Sequence, residues 1–156
     1  MDGEQLYDHT QKSPLHIFLY LPALLMFFVA WQMRTSMPVS LILLAVGCLL
    51  LLSAFAFQTL NIREGADALQ IKFGPLNIFG TQIKYSDMTN VEAGRTKWLD
   101  GLGIHYVPFR GWVMNLWGFE CVTIERGASV IRVGTDDSEN LAAMLKQRLE
   151  SNNLQA

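Results

Sequence analysis

The sequence predicts a membrane α-helical hairpin followed by a mainly-β domain, about seven antiparallel strands closed by one C-terminal helix. Three observations carry this. Residues 39–57 run through nineteen consecutive positions without a charged side chain. A second uncharged stretch, Leu15 to Trp31, precedes that run. From residue 59 onward, continuous apolar sequence gives way to alternation of apolar and polar residues, the pattern of half-buried strands.

As a helix, the 39–57 run would cover roughly 28 Å, close to the ~30 Å hydrocarbon core of a bilayer. Helices satisfy their own backbone groups in lipid, so the run reads as a membrane span. The stretch from Leu15 has His16 at its edge and Pro22 inside, and lipid-embedded helices tolerate an internal proline. It reads as a retained span and not a cleaved signal. The leader MDGEQLYDHTQKSP carries three acids and one Lys, and Trp31-Gln32-Met33-Arg34 is no small-residue cleavage site.

Gln32 to Pro38 is a link short enough for a tight hairpin, with Pro38 suited to the first turn of the second helix. Lys12, Arg63 and Lys72 flank the open end of the hairpin, while Arg34 marks its loop. That bias predicts a multi-pass membrane protein with both termini cytoplasmic. No charged residue lies inside either span to mark an ion or proton path, which disfavours transport. The expected organisation is an N-terminal tail (1–14), a two-helix transmembrane hairpin (15–58), a domain (59–151) and a C-terminal tail (152–156).

Composition narrows the function classes. The chain has 156 residues and is 51% hydrophobic, with a net charge of −2. Beyond residue 58, ten Lys and Arg face eleven Asp and Glu, so no basic field argues for nucleic acid. The two cysteines, Cys48 in a span and Cys121 in an expected strand, are not placed to bond; isolated thiols fit a reducing compartment.

Strands are expected at Gln58–Arg63, Leu69–Phe73, Thr81–Tyr85, Thr89–Arg95, Leu102–Val107, Gly111–Leu116, Phe119–Glu125 and Ser129–Val133. The signals between them are Gly74-Pro75, Asp100-Gly101, Arg110-Gly111, Gly118 and Arg126-Gly127. The last segment changes period. Asp136 or Asp137 can cap a helix, Glu139 completes a capping box, and Leu141, Met144, Leu145 and Leu149 recur at helical spacing. The apolar stripe of that helix would plug the open end of a small curved sheet.

Several segments then carry a resemblance: Phe73-Gly74-Pro75-Leu76, Tyr85-Ser86-Asp87-Met88, Trp98-Leu99-Asp100-Gly101-Leu102-Gly103-Ile104, Gly111-Trp112-Val113-Met114-Asn115 and Ile131-Arg132-Val133-Gly134-Thr135-Asp136-Asp137. Over residues 58 to 150 the chain resembles the bacterial membrane-associated PH-like family, of the pleckstrin-homology superfold. The resemblance implies seven antiparallel strands with a capping helix, commonly preceded by membrane spans, and a place in the bacterial inner membrane. His105 stands where a basic residue is expected and Ser138 where proline is frequent, so no ligand site is carried over. Fold alone does not fix function.

Candidate sites are sparse. Phosphoinositide-binding PH domains use a basic first hairpin, but here it reads Arg63-Glu64-Gly65-Ala66-Asp67-Ala68, which would repel a polyanion. Arg95, Lys97 and Arg110 form a weaker basic group, expected to contact lipid headgroups if the fold gathers them. His105, out of phase with Ile104, is expected on the surface. Asp136 and Asp137 are explained by helix capping better than by a metal. Trp98, Trp112 and Trp117 are expected mostly as core or sheet-covering residues, with some left as a contact patch. Gly101-Leu102-Gly103 is too short for a phosphate loop, and catalytic motifs are absent from the sequence. The sequence therefore predicts a protein that is not an enzyme and has no metal, cofactor, nucleic-acid partner or small-molecule substrate. Its expected partners are the bilayer and another protein or itself. Lipid-headgroup sensing and an accessory role to a membrane enzyme or transporter are the rival expectations.

Overall fold

The two uncharged runs fold as helices: α1 (Leu15–Gln32) and α2 (Met37–Ala56). They belong to a computed structural model that describes residues 6–76, 79–97 and 101–155. Pro22 is accommodated inside α1, and Pro38 lies in the first turn of α2. The facing surfaces are built from small residues, with Ala23, Ala30, Gly47 and Ala54 buried. A Cβ at Gly47 would stand 3.0 Å from the Phe27 ring, and the Ser40 hydroxyl donates to the Ala30 carbonyl at 3.2 Å. Small residues let helices approach closely, as they do in lipid. Phe18, Leu21, Leu24, Phe28, Leu41 and Leu49 point outward. Only 11% of the α1 window and 17% of the α2 window is buried, so these are not core helices. By length and composition both could cross a membrane.

The N-terminal segment is not a tail. Asp8–Lys12 forms β1, paired antiparallel with β2 (Thr59–Glu64) from Asp8↔Arg63 to Lys12↔Thr59. The ladder reaches the hairpin base, where the Ser13 amide donates to the Gln58 carbonyl at 3.1 Å. The helical hairpin is therefore an insertion between two neighbouring strands. Its two ends leave the sheet side by side, and β1 belongs to the same body as everything after α2.

β3 (Ala68–Phe73) and β4 (Phe79–Lys84) complete an antiparallel sheet of order β1-β2-β3-β4. Tyr85, expected to end a strand, instead opens a short 3₁₀ turn to Asp87. A second sheet contains β5 (Asn90–Arg95), β6 (Gly103–Val107), β7 (Gly111–Asn115), β8 (Glu120–Arg126) and β9 (Ser129–Gly134), in the order β5-β8-β9-β7-β6. Here the fully antiparallel expectation fails. β9 lies parallel to β7, from Trp112↔Ile131 to Met114↔Val133, because the β8–β9 hairpin docks as a unit with β9 inward. Gly111 permits this approach: a Cβ there would fall 2.1 Å from the Val130 carbonyl oxygen. The described residues hold nine strands where seven or eight were expected, β1 being the addition.

The core lies between the sheets. Leu60, Ile62, Leu69, Ile71, Phe73 and Ile83 come from the first, and Val91, Val122, Ile124 and Val133 from the second. Leu141 and Leu145 from α3 (Ser138–Gln155) close it. Burying each large side chain contributes about 1.5–3 kcal/mol. α3 continues past residue 151 to Gln155, so the expected C-terminal tail is helical for most of its length.

The strands define two ends of the domain. Gly74 and Phe57 mark the hairpin-proximal end: a Cβ at Gly74 would meet the Phe55 carbonyl at 2.5 Å, and Phe57 stacks edge-on against Phe73 at 6.2 Å. The distal end carries the Gly65–Asp67, Pro108–Arg110 and Arg126–Ala128 turns.

Candidate functional site

The hairpin-proximal end concentrates what the domain exposes of chemical interest. A cavity of about 590 Å³ opens there, lined by Leu102, Trp117 and Phe119 together with Thr96, Lys97, Asn115 and two glycines. Leu102, Trp117 and Phe119 are all exposed. Leu102 also lines a hollow of about 270 Å³ that it shares with Leu15, Phe18 and Leu19 of α1 and with Phe57. Leu102 thus stands between the cavity and a hollow against the first helix. On the other side of Trp117-Gly118-Phe119 a hollow of about 310 Å³ is lined by Lys12, Arg95, Glu120 and Asp136.

Buried amides fix this wall. Asn115 is 1% exposed and donates from Nδ2 to the Gly118 carbonyl at 3.0 Å, which holds the Leu116–Phe119 bend. Gln11 of β1, 3% exposed, donates from Nε2 to the Trp117 carbonyl at 2.8 Å. Asn115 Oδ1 and Gln11 Oε1 are buried without a hydrogen-bond partner among the described residues. β1 is therefore a structural part of the wall, and the polar sequence DHTQK gave no apolar alternation from which to foresee it.

The three basic residues picked out in the sequence do not share one hollow: Arg95 and Lys97 are neighbours in the chain but line different ones. Arg95 ends β5 opposite Glu120, and Lys97 follows on the cavity lining. Arg110 does not join them. It sits in the β6–β7 turn, where its carbonyl accepts from Arg132 Nη1. β6 and β7 hold Gly103 and Asn115 at the cavity end, so the turn lies roughly 13 Å or more along the strands at ~3.3 Å per residue.

In the first hairpin turn, Arg63 and Glu64 each have a partner elsewhere in the chain. Arg63 pairs with Asp8 at 2.6 Å. Glu64 is buried, accepts from Arg148 Nε at 2.5 Å, and accepts from the Tyr7 amide at 2.9 Å. The Glu64 pair is largely buried, while the Arg63–Asp8 pair lies at the surface.

Asp136 and Asp137 do more than cap a helix. The Asp137 carbonyl accepts the first helical bond, from the Leu141 amide at 3.1 Å, as an N-cap residue should. Its carboxylate meets the Tyr7 hydroxyl at 3.1 Å and the Asn140 amide at 2.6 Å, while Asp136 meets His9 Nε2 at 2.6 Å. Burial, followed by the neighbouring Asp137 charge, raises the Tyr7 phenol well above its usual range. Burial and Glu64 raise Tyr85. Hydrogen bonds from Asn61 and then Arg63 lower the Asp8 carboxyl. Among the described residues, no three His, Cys, Asp or Glu side chains gather as a metal centre.

Three placements differ from expectation. Trp112 and Trp117 are exposed, not core, and Trp98 lies outside the described residues. β6 has the opposite phase: Ile104 and Tyr106 face outward, while His105 is half-buried beside Gly101. β6 ends its sheet, so alternation along it could not by itself decide which face is covered. Tyr106 packs edge-on against Trp112 at 5.8 Å, and Phe109 in the adjoining turn is fully exposed with φ 62°. Comparison with protein-family models and with curated proteins gave no match.

Proposed function

We propose that this chain is an integral membrane protein whose helical hairpin holds a PH-like interaction module at the cytoplasmic face of a bacterial inner membrane. The module binds another protein strand, in a hetero-complex or from a second copy. It is not an enzyme. Two sheets packed around one core and closed by a C-terminal helix support the PH-like reading, with β1 and the parallel β7–β9 pair as departures from it. Outward-facing Phe and Leu side chains on both helices support the anchor, since soluble proteins rarely expose such a continuous apolar surface. The flanking Lys12, Arg63 and Lys72 support the cytoplasmic assignment.

The observation that carries the interaction role is the β6 edge. The sheet order ends at β6, and Gly103–Val107 contains no Lys, Glu or Pro to guard it. Edge strands without such guards are templates for strand addition. Ile104, Tyr106, Trp112 and Phe109 add an exposed apolar face beside that edge.

The test is purification of the full chain in mild detergent, with mass analysis of what accompanies it. A stoichiometric partner or dimer is expected. Ile104→Lys with Tyr106→Lys should weaken it at least tenfold, about 1.4 kcal/mol. Recovery as a lone monomer, or a complex indifferent to both substitutions, would sink the proposal.

A further inference from the structure

We infer that the tip of the helical hairpin binds a bilayer phospholipid through its phosphate, with Arg34 as the ligand and Trp31 as the platform that holds it. The inference rests on the hairpin being a membrane anchor. It deepens that reading by naming what the anchor grips at its far end.

Helix length sets the depth of the tip. α1 has 18 residues and α2 has 20, roughly 27 and 30 Å at ~1.5 Å per residue, against a hydrocarbon core of ~30 Å. A hairpin of that reach brings its turn level with the phosphates of the leaflet opposite the β domain. The turn is closed on itself, with the Met33 amide donating to the Val29 carbonyl at 2.9 Å and the Ser36 amide to the Met33 carbonyl at 2.9 Å. Trp31, Met33 and Met37 point outward from it, and Arg34 is exposed among them. Arg34 Cζ stands over the Trp31 ring, 4.8 Å from its centroid. Tryptophan favours the membrane–water interface, so the ring holds the guanidinium at headgroup level.

The charge at this place wants an anion that the chain does not supply. Between Lys12 and Arg63, Arg34 is the only Lys, Arg, Asp or Glu in the sequence. Among the described residues no carboxylate pairs with it; its side-chain contact is the Trp31 ring. A cation at the edge of the hydrocarbon is costly without a counter-charge beside it. Lying over a ring face leaves the N–H fork of the guanidinium open, and that fork matches two phosphate oxygens. Every phospholipid presents such a phosphate at this depth. A free anion would have to be drawn from water by one exposed cation, a pairing that gains little there. The lipid is therefore the occupant that both the charge and the depth select.

The experiment uses the full chain, isotope-labelled at its arginine guanidinium carbons, in bilayers of phosphatidylcholine and phosphatidylglycerol. Solid-state NMR then reads the dipolar contact between those carbons and phosphorus. Arg34→Lys deletes the labelled carbon at the tip and keeps the charge, so the difference between the two samples isolates the Arg34 signal. That signal is expected to be dephased by lipid phosphorus. It should lose the dephasing in a bilayer of phosphate-free galactolipid with inorganic phosphate in the buffer. Dephasing that survives in the galactolipid would reveal a free-anion site and overturn the lipid assignment. An Arg34 signal untouched by phosphorus, in a protein that resists extraction by alkaline carbonate, would overturn the inference while leaving the anchor standing. The same silence in a protein that alkaline carbonate releases would overturn both.

Discussion

The two ends of the β domain are held by different physics. At the proximal end the contacts are close backbone approaches and apolar packing: Gly74 against Phe55 and Ala56, and Phe57 between Phe73 and Gly103. Toward the distal end the fastenings are charged: Glu64–Arg148 at 2.5 Å, Arg63–Asp8 at 2.6 Å and Arg126–Asp87 at 3.2 Å. An apolar seam at the hairpin base suits two helices that could cross a membrane, since isolated charges are costly in a low-dielectric surrounding. Ion pairs at the other end meet water, where most contribute little and are screened by salt. The difference teaches how one small domain can pack closely against an apolar hairpin and still present a polar face to the solvent.

The strongest way to break the proximal end is Gly74→Val. Gly74 has φ 68°, and a Cβ would lie 2.5 Å from the Phe55 carbonyl oxygen and 2.9 Å from Ala56 Cα. A β-branched residue is strained at positive φ and would collide with backbone that cannot move without shifting α2. The expected loss exceeds about 3 kcal/mol, read as thermal unfolding of the full chain in nanodiscs. Proteolysis near the Phe57–Gln58 junction should rise in parallel. A variant as stable as the wild type would mean that the domain and hairpin are not fixed to one another.

At the distal end the largest effect falls on the buried pair. Glu64 is 7% exposed and also receives the Tyr7 amide, so Arg148→Met strands a carboxylate. Breaking one side of such a pair costs about 3 kcal/mol, somewhat less here because Arg148 is partly exposed. Adding Glu64→Gln to Arg148→Met should restore part of the loss. Chemical denaturation of the double variant against each single variant measures this coupling. A cost below about 0.5 kcal/mol would place Glu64 among the weak surface pairs.

These two ends were unequally legible from sequence. The two long helices were readable because their runs are apolar and uncharged throughout, and the strands from β2 to β9 because half-burial imposes alternation. β1 was not, since Asp8–Lys12 is polar at every position and is held by pairing with β2 and by side-chain bonds instead of an apolar stripe. The parallel β7–β9 contact depends on which hairpin docks where, a tertiary choice with no local signature. The proximal site was half visible: Arg95 and Lys97 were singled out, but the cavity arises where Thr96, Leu102, Asn115 and Phe119 from separate loops and strands meet. Arg110 was grouped with them on charge alone, and strand length separates it.

The smallest expected effect concerns β1, which joins the two ends. Tyr7, His9 and Gln11 face inward toward Asp137, Asp136 and the Trp117 carbonyl. Tyr7→Phe removes one hydrogen bond and should cost about 1 kcal/mol at neutral pH. The pH dependence separates this bond from a generic packing loss. The folded-state pKa of Tyr7 is raised above its unfolded value of about 10, so its contribution is fully present below that pH. As pH rises further, the unfolded chain ionises this phenol while the fold still holds it neutral, and the contribution declines. Wild type and Tyr7→Phe should therefore differ by a constant amount up to about pH 10 and converge above it. Phenolate absorbance should show one late-titrating tyrosine fewer in the variant. A stability gap that stays constant through the alkaline range would mean that the phenol is not buried against Asp137. In that case β1 would be held by its backbone ladder to β2 alone.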